Sequence, residues 1–217
     1  MIKRFSTTEG VYVEKIPGQK RLAFSLSDTA DFYDLEEWAG CGGYPGMVIR
    51  FYDLESGEVY TPFEKKQNVI FSKPKFLEGN IYFLKGDYDE GSLALYKFLP
   101  ENGPIKVTEL SLMGLRLYNL NIMGEKVHIV SQEDDFCCYY PERFSFKIGE
   151  NESAVLILDG KVYCQEWVEE NWDEELNFAK ENYKYYDNLI VRDFEGNILS
   201  KEKGSLFEDD DGNLWIS

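Results

Sequence analysis

The chain has 217 residues, and 40 acidic side chains against 23 basic ones give it a formal charge of −17. That field repels nucleic-acid phosphates and anionic lipid surfaces, so neither a nucleic acid nor a membrane is expected as a partner. With 43% hydrophobic and 16% aromatic residues the chain is excluded from the disordered class and has the material for a buried core.

No apolar run follows the basic start Met1-Ile2-Lys3-Arg4, and no window stays apolar for the roughly 18 residues of a membrane span. A cytoplasmic protein is expected. Cys41, Cys137, Cys138 and Cys164 show no Cys-x-x-Cys spacing, which favours free thiols in a reducing compartment. His128 is the only histidine, which removes most zinc chemistry and every Ser-His-Asp or Cys-His arrangement except one built on His128. Its alternation with Val127 and Ile129 reads as an ordinary strand position. The sequence assigns no catalytic residue, no metal ligand and no cofactor.

Taken from the N-terminus, one short pattern recurs: a glycine turn, then a β-branched or aromatic run. Gly18 precedes Leu22-Ala23-Phe24, Gly79 precedes Ile81-Tyr82-Phe83-Leu84, and Gly124 precedes Val127-His128-Ile129-Val130. Gly160 precedes Val162-Tyr163-Cys164, and Gly212 precedes Leu214-Trp215-Ile216. Asp159-Gly160 and Asp211-Gly212 suit two-residue hairpin turns, whose central positions need positive φ. A second hairpin follows each of the first four. Residues 47–53 turn at Ser56-Gly57 into 58–63, and 92–99 turn at Asn102-Gly103 into 105–110. Residues 136–140 turn at Pro141-Glu142 into 143–148, and 189–194 turn at Glu195-Gly196 into 197–201.

Four strands per unit over five units read as an all-β, five-bladed β-propeller spanning 1–217 as one domain, with a β-sandwich or meander as the alternative. The fifth unit holds only 205–208 and 213–217. Residues 2–6 are therefore expected to pair with 214–216, completing a last blade composed from both termini and hiding its edge.

Two inserts interrupt the pattern, at 28–46 and 169–186. In the first, Phe32, Leu35 and Trp38 recur at helical spacing, and Gly40 suits a stop. The loop Cys41-Gly42-Gly43-Tyr44-Pro45-Gly46 lacks the Lys-Ser/Thr of a phosphate loop. The second reads as a helix, with Asn171 and Glu174 as a capping box and Trp172, Leu176, Ala179 and Tyr183 along one face. Both inserts join the second strand of a unit to the third, and in a propeller such connections emerge on one face. Both are acidic: Asp28, Asp31, Asp34, Glu36 and Glu37 in one, Glu169, Glu170, Asp173, Glu174 and Glu175 in the other. An acidic face of this kind suits a basic protein.

The tail Asp209-Asp210-Asp211-Gly212-Asn213-Leu214-Trp215 resembles the Asp-x-x-Gly-Asn-Leu-Trp repeat of sensor-type β-propellers. The resemblance implies a blade hairpin and carries no ligand residues with it. As a calcium loop the same run fails, because with Gly212 at the sixth position the chain ends before the twelfth.

In the propeller reading the innermost strands carry Glu14, Lys73, Lys75, Arg116 and Asn121. Residues 115–121 alternate apolar with polar side chains, which points Arg116, Tyr118 and Asn121 at an axial channel. Trp38, Tyr44 and Trp172 are the aromatic candidates from the inserts. No clean carboxylate pair for glycoside hydrolysis stands out among these positions. The expected function is a non-enzymatic binding module for a basic protein or a neutral small molecule or glycan. A glycosidase-like enzyme using channel carboxylates is the alternative.

Overall fold

A computed structural model describes residues 2–173, 175–209 and 211–217. The chain is all-β, with one helix and nineteen strands among the described residues. Four sheets repeat one antiparallel meander. The first runs through Glu14–Lys15 (β1), Leu22–Leu26 (β2), Ile49–Asp53 (β3) and Val59–Tyr60 (β4). The second holds Val69–Phe71 (β5), Lys75–Leu77 (β6), Asn80–Asp87 (β7), Ser92–Leu99 (β8) and Gly103–Ser111 (β9), with β5 and β6 both on β7. The third holds Asn121–Met123 (β10), His128–Gln132 (β11), Asp135–Tyr140 (β12) and Phe144–Lys147 (β13). The fourth holds Glu152–Leu158 (β14), Lys161–Asp173 (β15), Phe178–Arg192 (β16) and Ile198–Lys203 (β17). Leu206–Glu208 (β18) and Leu214–Ile216 (β19) form a two-stranded sheet. Each recurring glycine turns the first strand of its sheet into the second, and Gly18, Gly79, Gly124, Gly160 and Gly212 all have positive φ.

The chain divides into two compact units, Met1–Ile122 with Asp210–Gly212, and Met123–Asp209 with Asn213–Ser217. In the first, β5 and β6 are one edge strand broken at Pro74, which has no N–H to give to the ladder. Ser72 bridges the break: its N–H donates to Leu84 O and its hydroxyl accepts Leu84 N–H at 2.9 Å. Phe51 of β3 stacks on Phe98 of β8 at 4.3 Å and meets Phe83 of β7 at 5.7 Å, joining the two sheets through buried rings. The insert helix forms as Phe32–Gly40 (α1), capped by Asp31 and Asp34 in a reciprocal capping box. Phe32 reaches the sheet because Gly86 has no side chain; a Cβ there would lie 2.9 Å from the ring.

In the second unit Val130, Phe136, Cys138, Phe146, Ile157, Val162, Cys164 and Ile190 form one core. Phe144 stacks on Phe194 at 4.2 Å. Gly196, at φ 87°, admits Phe146, whose Cβ lies 2.5 Å from where a side chain would begin. Beneath this core Arg192 grips Glu152 with two bonds of 2.7 Å, Nε to Oε1 and Nη2 to Oε2, and both residues are buried or nearly so. The two sheets are also tied by Gln132, whose amide donates to Glu152 O and whose carbonyl accepts Ala154 N–H.

Three expectations are overturned. The helix expected over 169–186 is an extended hairpin of β15 and β16. Its Trp, Val and Tyr residues are strong strand formers, while Asn171, Asn177 and Asn182 adopt positive φ, which interrupts a helix. Asp173 accepts the N–H groups of Glu175 and Leu176 and makes the turn. Glu174, half of the expected capping box, lies outside the described residues, as does Asp210 of the tail motif. The strand expected over 115–121 is a pair of turns, with Leu115 N–H on Leu112 O, Leu120 N–H on Leu117 O and Asn119 at φ 52°. The composite last blade is not formed. Residues 2–6 are not a strand; Ser6 donates to Gly57 O at 2.8 Å and accepts Val59 N–H at 3.2 Å, and Phe5 meets Tyr52 edge-on. Ser6 thus bonds to the turn before β4 and to its first residue, and β19 pairs with β18.

Burial pushes the Glu152 carboxyl up, but Arg192 and the Gly149 amide outweigh it and hold the group below the ordinary 4.5. Its stabilisation is therefore complete above that value and is lost as pH falls through the folded value. Arg192→Ala should cost about 3–5 kcal/mol in urea unfolding, because it strands a buried carboxylate. Glu152→Gln should reduce the difference between urea midpoints measured at about pH 7 and about pH 4; an unchanged difference would show that the pair does not govern the acid limb.

Candidate functional site

The first unit forms a half-open cavity of about 680 Å³, within the range of roughly 300–1,000 Å³ that suits small ligands. It is built by successive first strands: Glu14 comes from β1, Ser72, Lys73 and Lys75 from the broken strand β5–β6, and Asn121 and Ile122 from β10. Tyr12, Leu26, Phe32, Phe71, Leu117 and Leu120 supply aromatic and aliphatic wall, and residues 28–31 close one side at the start of α1.

The carboxylates of the cavity already have tasks. Glu14 pairs with Lys73 Nζ at 2.8 Å. Asp28 accepts the N–H groups of Thr29 and Ala30 on one oxygen and the Tyr44 hydroxyl, at 3.1 Å, on the other. Asp31 accepts Tyr33 N–H at 2.8 Å and Asp34 N–H at 3.0 Å, satisfying donors of the first helical turn. Lys75 is exposed and makes no ion pair with a described residue. Asn121 donates to Asn119 O at 2.7 Å. The cavity offers the Lys75 ammonium, the Asn121 carboxamide and the Glu14–Lys73 ion pair, set among ring faces.

The six residues singled out on sequence fare differently. Asn121 lines the cavity. Arg116 and Tyr118 stand exposed on the preceding turns, and Tyr118 meets Tyr33 edge-on at 6.1 Å. Trp38, half-exposed on α1, packs edge-on against Tyr44 at 5.8 Å. Tyr44 itself is 1% exposed and is a core residue. Trp172 lies in the second unit, on the β15–β16 hairpin. Tyr12 carried no pattern that marks it in sequence; Glu14, Lys73 and Lys75 were detectable as innermost-strand positions.

Nucleophilic cysteine chemistry finds no support in the buried thiols. Burial pushes Cys138 up to about 12 and Cys164 higher still, which suppresses the reactive thiolate. His128 sits buried in β11, its Nδ1 3.0 Å from Lys126 O. Among the described residues no three His, Cys, Asp or Glu side chains gather to hold a metal ion, and no helix is long and apolar enough to cross a membrane. No family model matches the chain, and no curated protein matches it.

Burial first, then Asp28, pushes the Tyr44 phenol well above its ordinary value of 10. Tyr44→Phe should lower stability by about 1 kcal/mol through the lost hydrogen bond, and Tyr44→Ala by about 3–5 kcal/mol through the cavity it opens. Thermal unfolding of both variants checks this. Equal midpoints for Tyr44→Ala and the parent chain would remove Tyr44 from the core.

Proposed function

We propose that this chain is a β-propeller binding module that takes a neutral polyhydroxylated ligand, a saccharide or glycan segment, in the first unit's cavity without chemical conversion. One observation carries the reading. Polar side chains from the first strands of successive sheets converge on a single ligand-sized cavity, while its carboxylates are committed to a lysine, a tyrosine and a helix cap. In a propeller the first strand of each blade lines the axis, so repeated four-stranded meanders with a turn glycine at one fixed place support the five-bladed arrangement.

The ligand class follows from the lining. Hydroxyl groups match Lys75, Asn121 and the Glu14–Lys73 pair as donors and acceptors. The faces of Tyr12, Phe32 and Phe71 suit the apolar face of a sugar ring. The overall charge of −17 disfavours polyanions. The same field suits a cytoplasmic protein that avoids nucleic acid.

Saturation-transfer NMR with a panel of neutral mono- and disaccharides tests the site. Binding should appear for at least one, and Lys75→Ala or Asn121→Ala should weaken it about tenfold, as expected for one or two lost hydrogen bonds. Lys106→Ala, outside the cavity, should leave it unchanged. Hydrolysis of the bound sugar would replace this reading with the glycosidase one, and saccharide binding indifferent to both cavity variants would place the site elsewhere.

A further inference from the structure

The β15–β16 hairpin outgrows its sheet. β14 pairs with β15 only as far as Glu152 opposite Glu166, with one more bond from Trp167 N–H to Asn151 O. On the other side β17 leaves β16 at Asn188 opposite Lys203, followed by Gly204 N–H on Asp187 O. Beyond those points the two strands continue as a ribbon, and among the described residues no further strand pairs with either outer edge. A two-stranded ribbon is marginal in water, and an open edge is a template for a further strand.

The ribbon also carries a row of rings. Trp167 stacks on Tyr185 at 4.9 Å, Tyr185 meets Tyr183 at 6.2 Å, and Tyr183 meets Trp172 at 5.7 Å. Tyr185 is 63% exposed and Trp167 42%, so the row is not core. Carboxylates flank it: the ladder sets Glu169 opposite Tyr185 and Asp187 opposite Trp167. Residues 166–188 contain eight acids and two lysines.

We infer that this ribbon is a docking surface for an extended, cationic polypeptide segment, added along an open edge with its arginine or lysine side chains over the ring row. Charge complementarity selects the occupant. A second copy of this chain brings the same negative ribbon, and a nucleic acid brings more negative charge. A guanidinium gains from both features, stacking on the rings and bonding the carboxylates. The hairpin already holds one cation in this manner, with Lys203 Nζ 4.0 Å over the Tyr186 ring while Tyr186 donates to Glu170 at 2.9 Å. The surface lies wholly in the second unit and is independent of the cavity proposed above.

The probe is a synthetic peptide of about eight residues alternating arginine with threonine, long enough for the ribbon at roughly 3.3 Å per residue. Tryptophan fluorescence of the full chain should report saturable binding, at least about tenfold tighter than for the same peptide with glutamine in place of arginine, and weaker in high salt. Trp172→Ala with Tyr185→Ala should weaken it about tenfold. Glu169→Gln with Asp187→Asn, which keeps the rings, should do likewise. Glu36→Gln with Glu37→Gln, which removes as much charge from α1, and Lys75→Ala, in the cavity, should leave it intact. Equal loss in the α1 variant would reduce the effect to bulk charge and overturn the proposal. So would equal binding of the glutamine peptide, displacement by a neutral oligosaccharide, or parental affinity in a ring variant that keeps its thermal midpoint.

Discussion

Neither of the first two meanders can hide its apolar face alone, and Phe51 is where they hide each other's. Its ring lies against Phe98 and beside Phe83 with none of the three more than 2% exposed. A sheet of four short strands has one face to bury and nothing of its own to bury it with. The ring stack answers that need in the first unit, and the cluster around Phe136, Phe146 and Ile190 answers it in the second. Gly86 and Gly196 belong to the same constraint, since each removes a side chain where a neighbouring ring must pass. The cavity walls inherit their positions from this packing: Phe32 stands where Gly86 admits it, and α1 starts there.

Charge is handled by commitment. Asp53 is buried, accepts the N–H groups of Glu55 and Ser56 in the turn after β3, and receives Arg21 Nε at 3.1 Å. Asp87 ends β7 in a similar way, holding Lys66 at 2.7 Å and accepting Glu90 N–H. Asp209 accepts Asn213 N–H and Trp215 Nε1, each at 2.9 Å, and so shapes the β18–β19 hairpin. Such carboxylates act as turn-makers and caps, and Asp28 and Asp31 do the same at the start of α1. On the long hairpin Asp173 makes the turn and pairs with Lys180, and Glu169 and Glu170 accept the hydroxyls of Tyr183 and Tyr186.

The two surfaces differ in kind. The cavity is a half-open recess that mixes hydrogen-bonding groups with ring faces, whereas the hairpin is an exposed, negative and aromatic ribbon.

Local rules determined the all-β class, nine of the hairpin turns and the existence of α1, because each depends on residues close in sequence: Asp-Gly pairs that tolerate positive φ, alternation, and the Asp31–Asp34 cap. The same rules misread 169–186, where a four-residue spacing of Trp172, Leu176, Ala179 and Tyr183 mimicked a helix. The decision there was tertiary, since pairing of β15 with β16 up to Asn188 continues into the ribbon and rewards the Trp and Tyr residues as strand formers. Residues 2–6 have strand-like alternation too, but Ser6 bonds elsewhere, its N–H donating to Gly57 O and its hydroxyl accepting Val59 N–H. For the site, Asn121, Glu14, Lys73 and Lys75 could be named from their places in the repeat. That Arg116 falls outside the cavity lining, that Tyr44 is core, and that Glu14 pairs with Lys73 depend on contacts between residues far apart in the chain. Sequence by itself determined the short hairpins and α1, because neighbours in the chain make their turns and caps; only the tertiary structure decided that 169–186 pairs as two strands and which polar side chains are already bonded, because that depends on which partners folding brings together.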